Sequence, residues 1–332
     1  MIGFLKKAFL FVLPLLIIGA CYIITDPFQN VLNHDVYLFN YMMLSRGNVS
    51  TKVYLKFKDK YKYDSFIFGS SRSTSHTSKE WAKYLSKNNV PYSFGAWNES
   101  IEAMYRRIKL IDSLKKPIKN AFILVDVDRT FAKSDTDRSD DFNGDHYLIS
   151  GISQYDYYMS DFYSYLKSPR LIITSIDYNL FHQQRAYMDG FFSMKKGDLD
   201  PVNNDWDPNS ETKILKDSVA YYKAAEGKFY QRPGIQKISL KKISKKKEQY
   251  LQKIATIFRK HQTRCKIVIA PLYDQIKINP ADILVLDNIF GKTNVYDYSG
   301  INAITNNQFN YGNDVIHYRK KVGNIIFKEI YN

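Results

Sequence analysis

The sequence predicts an α/β fold, a three-layer α/β/α domain around a central parallel sheet, behind one amino-terminal transmembrane helix. Two observations carry the sheet. Short apolar runs at 65–68, 90–94 and 121–125 alternate with segments of helical period, and the alternation resumes at 266–270 and 294–298. Each run is brief and apolar throughout, as for parallel strands buried on both faces. A third observation carries the helix: residues 8–24 hold no charge and follow Lys6 and Lys7, enough to cross a hydrocarbon layer of about 30 Å.

Taken in order, residues 1–25 form a signal anchor, with lysines before the apolar run and a long polar chain after it. That asymmetry puts the amino terminus in the cytoplasm and the body outside. The alternative is a lipoprotein: Ile18-Gly-Ala-Cys21 resembles a lipidation box, which would make Cys21 the acylated residue. Residues 26–63, with Lys52, Lys56, Lys58, Lys60 and Lys62, read as a stalk, and residues 64–332 as the α/β domain.

Within that domain the first strand, 65–68, ends at Gly69 and leads to a helix over 78–85. The second strand, 90–94, ends at Gly95. Ile101, Met104, Tyr105, Ile108 and Ile111 then recur at helical spacing, with Asn98 or Ser100 as cap. The third strand, 121–125, runs into Asp126 and Asp128. Regularity then lapses over 130–235, an insertion with helix at 156–166 and 211–225 and turns at Asp200-Pro201 and Asp207-Pro208. Helices at 239–261, 280–290 and 318–331 complete the pattern with the strands at 266–270 and 294–298.

The chain has 332 residues, 45% hydrophobic, 27 of them Tyr, with a formal charge of +15. Such charge speaks to partners, not fold. The run 237–266 holds eleven Lys or Arg against Glu248 alone, with apolar residues interleaved, so one side packs and the other is charged. Anionic headgroups or an anionic envelope polymer are its natural partners outside the cytoplasm; no nucleic-acid partner is expected there. Cys21 and Cys265 offer no disulfide framework. Asp135, Asp137, Asp140, Asp141 and Asp145 lack the spacing of a calcium loop, and His34, His76, His182 and His261 form no metal-ligand pattern. No cofactor or metal is implied.

Chemistry is carried by the two ends of the domain. Gly69-Ser70-Ser71 follows the first strand, where α/β proteins keep their sites, and Asp314-Val-Ile-His317 precedes the last helix. An acid three residues before a histidine can orient the ring, and the ring can deprotonate a serine. The plainer alternative is that Ser71 caps a helix and Asp314 caps the last one.

In this order of parts the chain resembles the SGNH (GDSL-like) hydrolases. It looks most like their membrane-anchored bacterial branch, which includes the teichoic-acid D-alanylation and alginate acetylation proteins. The resemblance implies Ser71 as nucleophile, His317 as base and Asp314 as its orienting acid. The Ser71 and Gly95 N–H groups would form the oxyanion hole. Its third donor is an Asn in the family, and here Asp126 and Asp128 stand in that position. Apart from the resemblance, Arg72 beside the serine could bind an anionic substrate or a neighbouring carboxylate, and His146 could line the site from the insertion. The implied function is extracytoplasmic O-acyl transfer or deacylation on an envelope polysaccharide or polymer, through an acyl-serine, with a membrane-bound O-acyltransferase as partner. The alternatives are a degenerate relative that binds glycan and a membrane-associated scaffold.

Overall fold

The computed structural model describes residues 2–32, 41–42, 45–131, 145–194, 199–206, 210–312 and 314–332. Five strands form its main sheet: β1 (Ser65–Phe68), β2 (Pro91–Ser93), β3 (Asn120–Val125), β4 (Arg264–Ile269) and β5 (Val295–Asp297). All are parallel, in the order β2-β1-β3-β4-β5, with Phe68 opposite Ile123 and Val125 opposite Ile269. β3 is buried along its whole length, which is why its sequence is apolar without alternation. This order reverses direction between β1 and β3, the place where open α/β sheets leave a crevice at the strands' carboxyl ends.

The helices of eight residues or more or in close pairs are, in chain order, α1 (Ile2–Thr25), α2 (Arg46–Tyr61), α3 (Ile101–Ser113), α4 (Gln154–Leu166) and α5 (Pro169–Phe181). Then come α6 (Ser210–Lys216), α7 (Ser218–Ala224), α8 (Lys245–His261), α9 (Pro280–Phe290) and α10 (Lys320–Tyr331). Their starts follow from capping chemistry. Ser100 accepts from the Ala103 N–H at the head of α3, and Asn279 does the same for Ala281 ahead of Pro280 in α9.

Helices cover both faces of the sheet. Phe122 pairs in register with Ile67, so it points to the face opposite Phe66. On the Phe122 side lie the rings of His76 (4.7 Å), Trp81 (6.3 Å) and Phe327 of α10 (5.2 Å). On the Phe66 side Tyr54 of α2 makes an edge contact at 5.8 Å.

The chain divides into two compact units. The larger comprises Arg46–Arg138 and Asp198–Asn332 and contains the sheet; the smaller comprises Met1–Ser45 and Ser139–Gly197. Two expectations are corrected. Residues 46–61, expected in a stalk, form α2 of the larger unit. Val49, Val53 and Tyr54 are fully buried there, while Lys56 and Lys60 face out. The lysines gave the stretch its stalk-like composition, and the apolar stripe beneath them makes it part of the core. The expected insertion over 130–235 is split, with 139–197 in the smaller unit and 198–235 in the larger. Its helix at 211–225 breaks at Asp217, which caps α7 by accepting from the Ala220 N–H. The acidic residues Asp135, Asp137, Asp140 and Asp141, as well as His34 and Asp207-Pro208, lie outside the described residues.

In the smaller unit α1 carries Lys6–Thr25, long and apolar enough to cross a membrane. It runs unbroken through Cys21. Its last turns join α4 and α5 around Tyr22, Phe28, Tyr165, Leu171 and Phe191.

The larger unit buries one ion pair completely. Arg107 of α3 donates to Glu99 (2.9 Å), and also to the Gly47 carbonyl (3.1 Å) and Thr51 hydroxyl (2.8 Å) of α2. Arg107→Met removes the cation and strands the carboxylate, so it should cost about 3–5 kcal/mol. Denaturant unfolding would show a lower midpoint at unchanged slope, with part of the loss recovered in Glu99→Gln/Arg107→Met.

Candidate active site

Gly69 leaves β1 into a tight turn because there is no room for a side chain. A Cβ there would stand 2.9 Å from Leu124 Cβ and 3.0 Å from Ser73 Cβ. Ser70 caps the 3-10 helix Ser71–Ser75, its hydroxyl accepting from the Arg72 N–H, and its carbonyl takes the Ser73 hydroxyl at 2.7 Å. Ser71 is therefore the first residue of the 3-10 helix, and the cap is its neighbour Ser70.

At the other end, a bridge between Tyr311 and Tyr318 closes a loop that holds Asp314 and His317. α10 begins only at Lys320, so Asp314 does not cap it. Asp314 instead accepts from the Ile316 (2.9 Å) and His317 (2.8 Å) N–H groups. Both its oxygens face His317 Nδ1, at 3.1 and 3.0 Å. Across the gap, His317 Nε2 lies 2.9 Å from Ser71 Oγ. Burial by itself would raise the Asp314 pKa, but the hydrogen bonds and charge of His317 outweigh it and hold the carboxyl below its ordinary value. An ionised carboxylate only accepts, so Nδ1 carries the proton and Nε2 is left to accept from the Ser71 hydroxyl.

Two backbone contacts set this approach. Gly323, in the second turn of α10, lies so close to the serine segment that a Cβ would fall 2.0 Å from the Ser75 carbonyl oxygen. The Ser75 hydroxyl also donates to the Tyr318 carbonyl, next to His317.

Arg72 makes the third link, and of its two expected partners, an anionic substrate or a neighbouring carboxylate, it takes the carboxylate. Rather than reaching for substrate, the side chain is buried, with Nε donating to the Ile316 carbonyl at 2.9 Å. Its fork meets Asp128 at 2.8 and 3.1 Å, and Nη1 is 3.2 Å from Asp126. Burial would lower the guanidinium pKa, but the two carboxylates outweigh it and raise the value. Asp128, expected with Asp126 at the third oxyanion position, thus accepts from Arg72, and Asp126 forms an ion pair with it. Asp126 is fully buried, which raises its pKa against the pull of Arg72, and it is out of reach of any substrate. For Asp128, burial is outweighed by Arg72, and the pKa is lowered, so it stays an acceptor.

Gly95 lies over the same turn. A Cβ on it would meet Ser73 Oγ at 2.4 Å, and the next N–H, of Ala96, donates to the Gly69 carbonyl at 3.0 Å. Among the described residues neither the Ser71 nor the Gly95 N–H has a hydrogen-bond acceptor. Two half-buried indoles, Trp97 and Trp206, stand edge to face at 6.5 Å, Trp97 two residues beyond Gly95. His146 belongs to the smaller unit. There it caps a single helical turn through Nδ1 and stacks on Tyr147. No group of His, Cys, Asp and Glu suited to a metal occurs among the described residues.

Several positions here were not singled out in the sequence. Arg319 pairs with Glu211 of α6, and Tyr222 of α7 donates to the Tyr311 carbonyl at 2.7 Å. These contacts brace the loop of Asp314 and His317 from the 210–224 segment. A glycine inside a helix costs stability, so Gly323 was the available signal for a close approach.

Comparison with known proteins adds no assignment: no family model matches the chain, and no curated protein matches it.

Behind the loop, His76 is enclosed by Phe122, Tyr318 and Phe327, and burial pushes its imidazole down to about 3. An unfolded histidine titrates near ~6.5. Above that pH the ring is neutral in both states. As pH falls towards 3, only the unfolded chain takes the proton, so His76 costs stability. His76→Gln should make the chain lose less stability than wild type between pH 7.5 and 5, by about 2 kcal/mol, in paired denaturant titrations.

Proposed function

We propose that this chain is an SGNH-type serine enzyme working on acyl esters, by O-acyl transfer or deacylation, on a cell-envelope polysaccharide or polymer. The observation that carries the reading is the 2.9 Å contact of Ser71 Oγ with His317 Nε2, with Asp314 on the opposite ring nitrogen. In this reading His317 takes the Ser71 proton as the oxygen attacks the ester carbonyl. The same ring returns it to the departing alcohol, leaving an acyl-serine that water or an acceptor hydroxyl resolves. Asp314 keeps the proton on Nδ1 and offsets the charge that forms on the ring.

The oxyanion would rest on the Ser71 and Gly95 N–H groups. With Asp126 and Asp128 held by Arg72, no third side-chain donor is supplied from β3. A missing donor typically costs about 10²–10³ in kcat, which points to a slow, specialised enzyme rather than a broad esterase. In the transfer version, the acyl group arrives from a membrane-bound O-acyltransferase. The Trp97 and Trp206 faces beside Gly95 suit the apolar faces of sugar rings. α1 supports an anchored body outside the cytoplasm. Tyr22 and Ile18 pack into the smaller unit, which favours an uncleaved anchor over lipidation at Cys21.

A fluorophosphonate probe tests the reading directly, because only an activated serine reacts. The full chain should be labelled at Ser71. Ser71→Ala should abolish labelling and His317→Gln should slow it by about 10²–10⁴-fold, the range of general-base catalysis. Unchanged labelling in Ser71→Ala, or none in the wild type, would overturn the proposal in favour of a glycan-binding relative.

Arg72 supplies an independent expectation as a positioning residue. Arg72→Lys keeps the charge but loses the fork, so the Ile316 carbonyl is released and the His317 loop can shift. A misplacement of about 1 Å costs roughly 10²-fold, so kcat should drop by that order with KM nearly unchanged on a small aryl ester. A rise in KM alone would mark Arg72 as a substrate ligand instead.

A further inference from the structure

We infer that α5 lies in the membrane–water boundary beside α1, so that the smaller unit holds the bilayer by a second, non-spanning helix. The inference goes beyond the proposed chemistry and rests only on α1 as a membrane span. α5 is apolar on two sides. Leu171, Thr174 and Ser175 face the unit's core, yet Ile173 and Leu180 on the other side are 58 and 67% exposed, and Phe181, in the last turn below Thr174, is 57% exposed. A helix with its outer side in water is polar there, and one that is apolar all round is covered by protein or lipid.

The depth at which α5 meets α1 identifies lipid as the cover. Ile18, within the apolar span Lys6–Thr25, packs against the same cluster as Ile172 and Tyr178 of α5. Ile18 stands seven residues before the helix end at Thr25, or about 10 Å along the axis. A helix seated there, beside a spanning helix, is at the depth where interfacial helices bury their apolar side, roughly 5–10 Å below the headgroups.

Charge at the head of α5 agrees. Arg170 donates to the Tyr187 (2.7 Å) and Asp189 (2.9 Å) carbonyls with its guanidinium over Phe191, while Arg185, over Phe181, is paired with Asp177 at 2.8 Å. A cation beside an apolar ridge suits anionic headgroups.

The test uses the full chain in nanodiscs of phosphatidylcholine and phosphatidylglycerol. Nitroxides are placed singly through Val12→Cys, Ile173→Cys, Leu180→Cys or Leu240→Cys, in a Cys21→Ala/Cys265→Ala background. Collision with dissolved oxygen is compared with collision with a water-soluble nickel chelate. Positions 173 and 180 should resemble position 12, with an oxygen-to-chelate ratio about tenfold above that at position 240. A ratio at 173 and 180 like that at 240 overturns the inference. So does protection from both reagents, which would mean a protein cover, and so does a water-like ratio at position 12, which removes the span itself. Photolabelling of the unmodified chain by diazirine lipids gives a second reading without substitutions: labelled peptides from 169–181 support it, and label confined to α1 overturns it.

Discussion

One buried guanidinium joins the parts of this molecule that chemistry would require to meet. Arg72 leaves the turn after β1, grips the two carboxylates after β3 and holds the carbonyl next to His317. The sheet itself sets the turn after β1 beside the end of β3, but the His317 loop lies outside the sheet, and Arg72 ties it to both. A buried charge lacking partners is expensive, so the arrangement holds only while all are in place. The order of the turn, the acidic strand end and the histidine loop is therefore a condition of folding as well as of geometry.

Much of the sheet was legible from the sequence because parallel strands are buried on both faces, and their apolar runs need no alternation to stand out. The approach of His317 to Ser71 was readable from motif spacing for a related reason. Both motifs sit where a strand or helix ends, and those ends converge at one edge of the sheet. Other parts were hidden. α2 was masked by its lysines, which gave a packed helix the composition of a spacer. α5 escaped notice because apolar residues on several sides leave no period to detect.

Arg72, Asp126 and Asp128 were noticed, but their pairing was one possibility among several. The sequence left Arg72 to an anionic substrate or a neighbouring carboxylate, and the resemblance gave the aspartates to an oxyanion; the fold turns them towards one another. A cation beside a turn and two acids at a neighbouring strand end are more economically satisfied by each other than by solvent or ligand. The two acids at this strand end are thus matched by a basic residue next to the serine, a pairing whose geometry shows only in three dimensions.

Gly323 has a consequence for how such a site could change over time. With backbone touching backbone at Ser75, the start of α10 can come no nearer to the serine turn, and any side chain at position 323 would push the two apart. A lineage that kept the Ser71–His317 contact would thus have little freedom to replace this glycine.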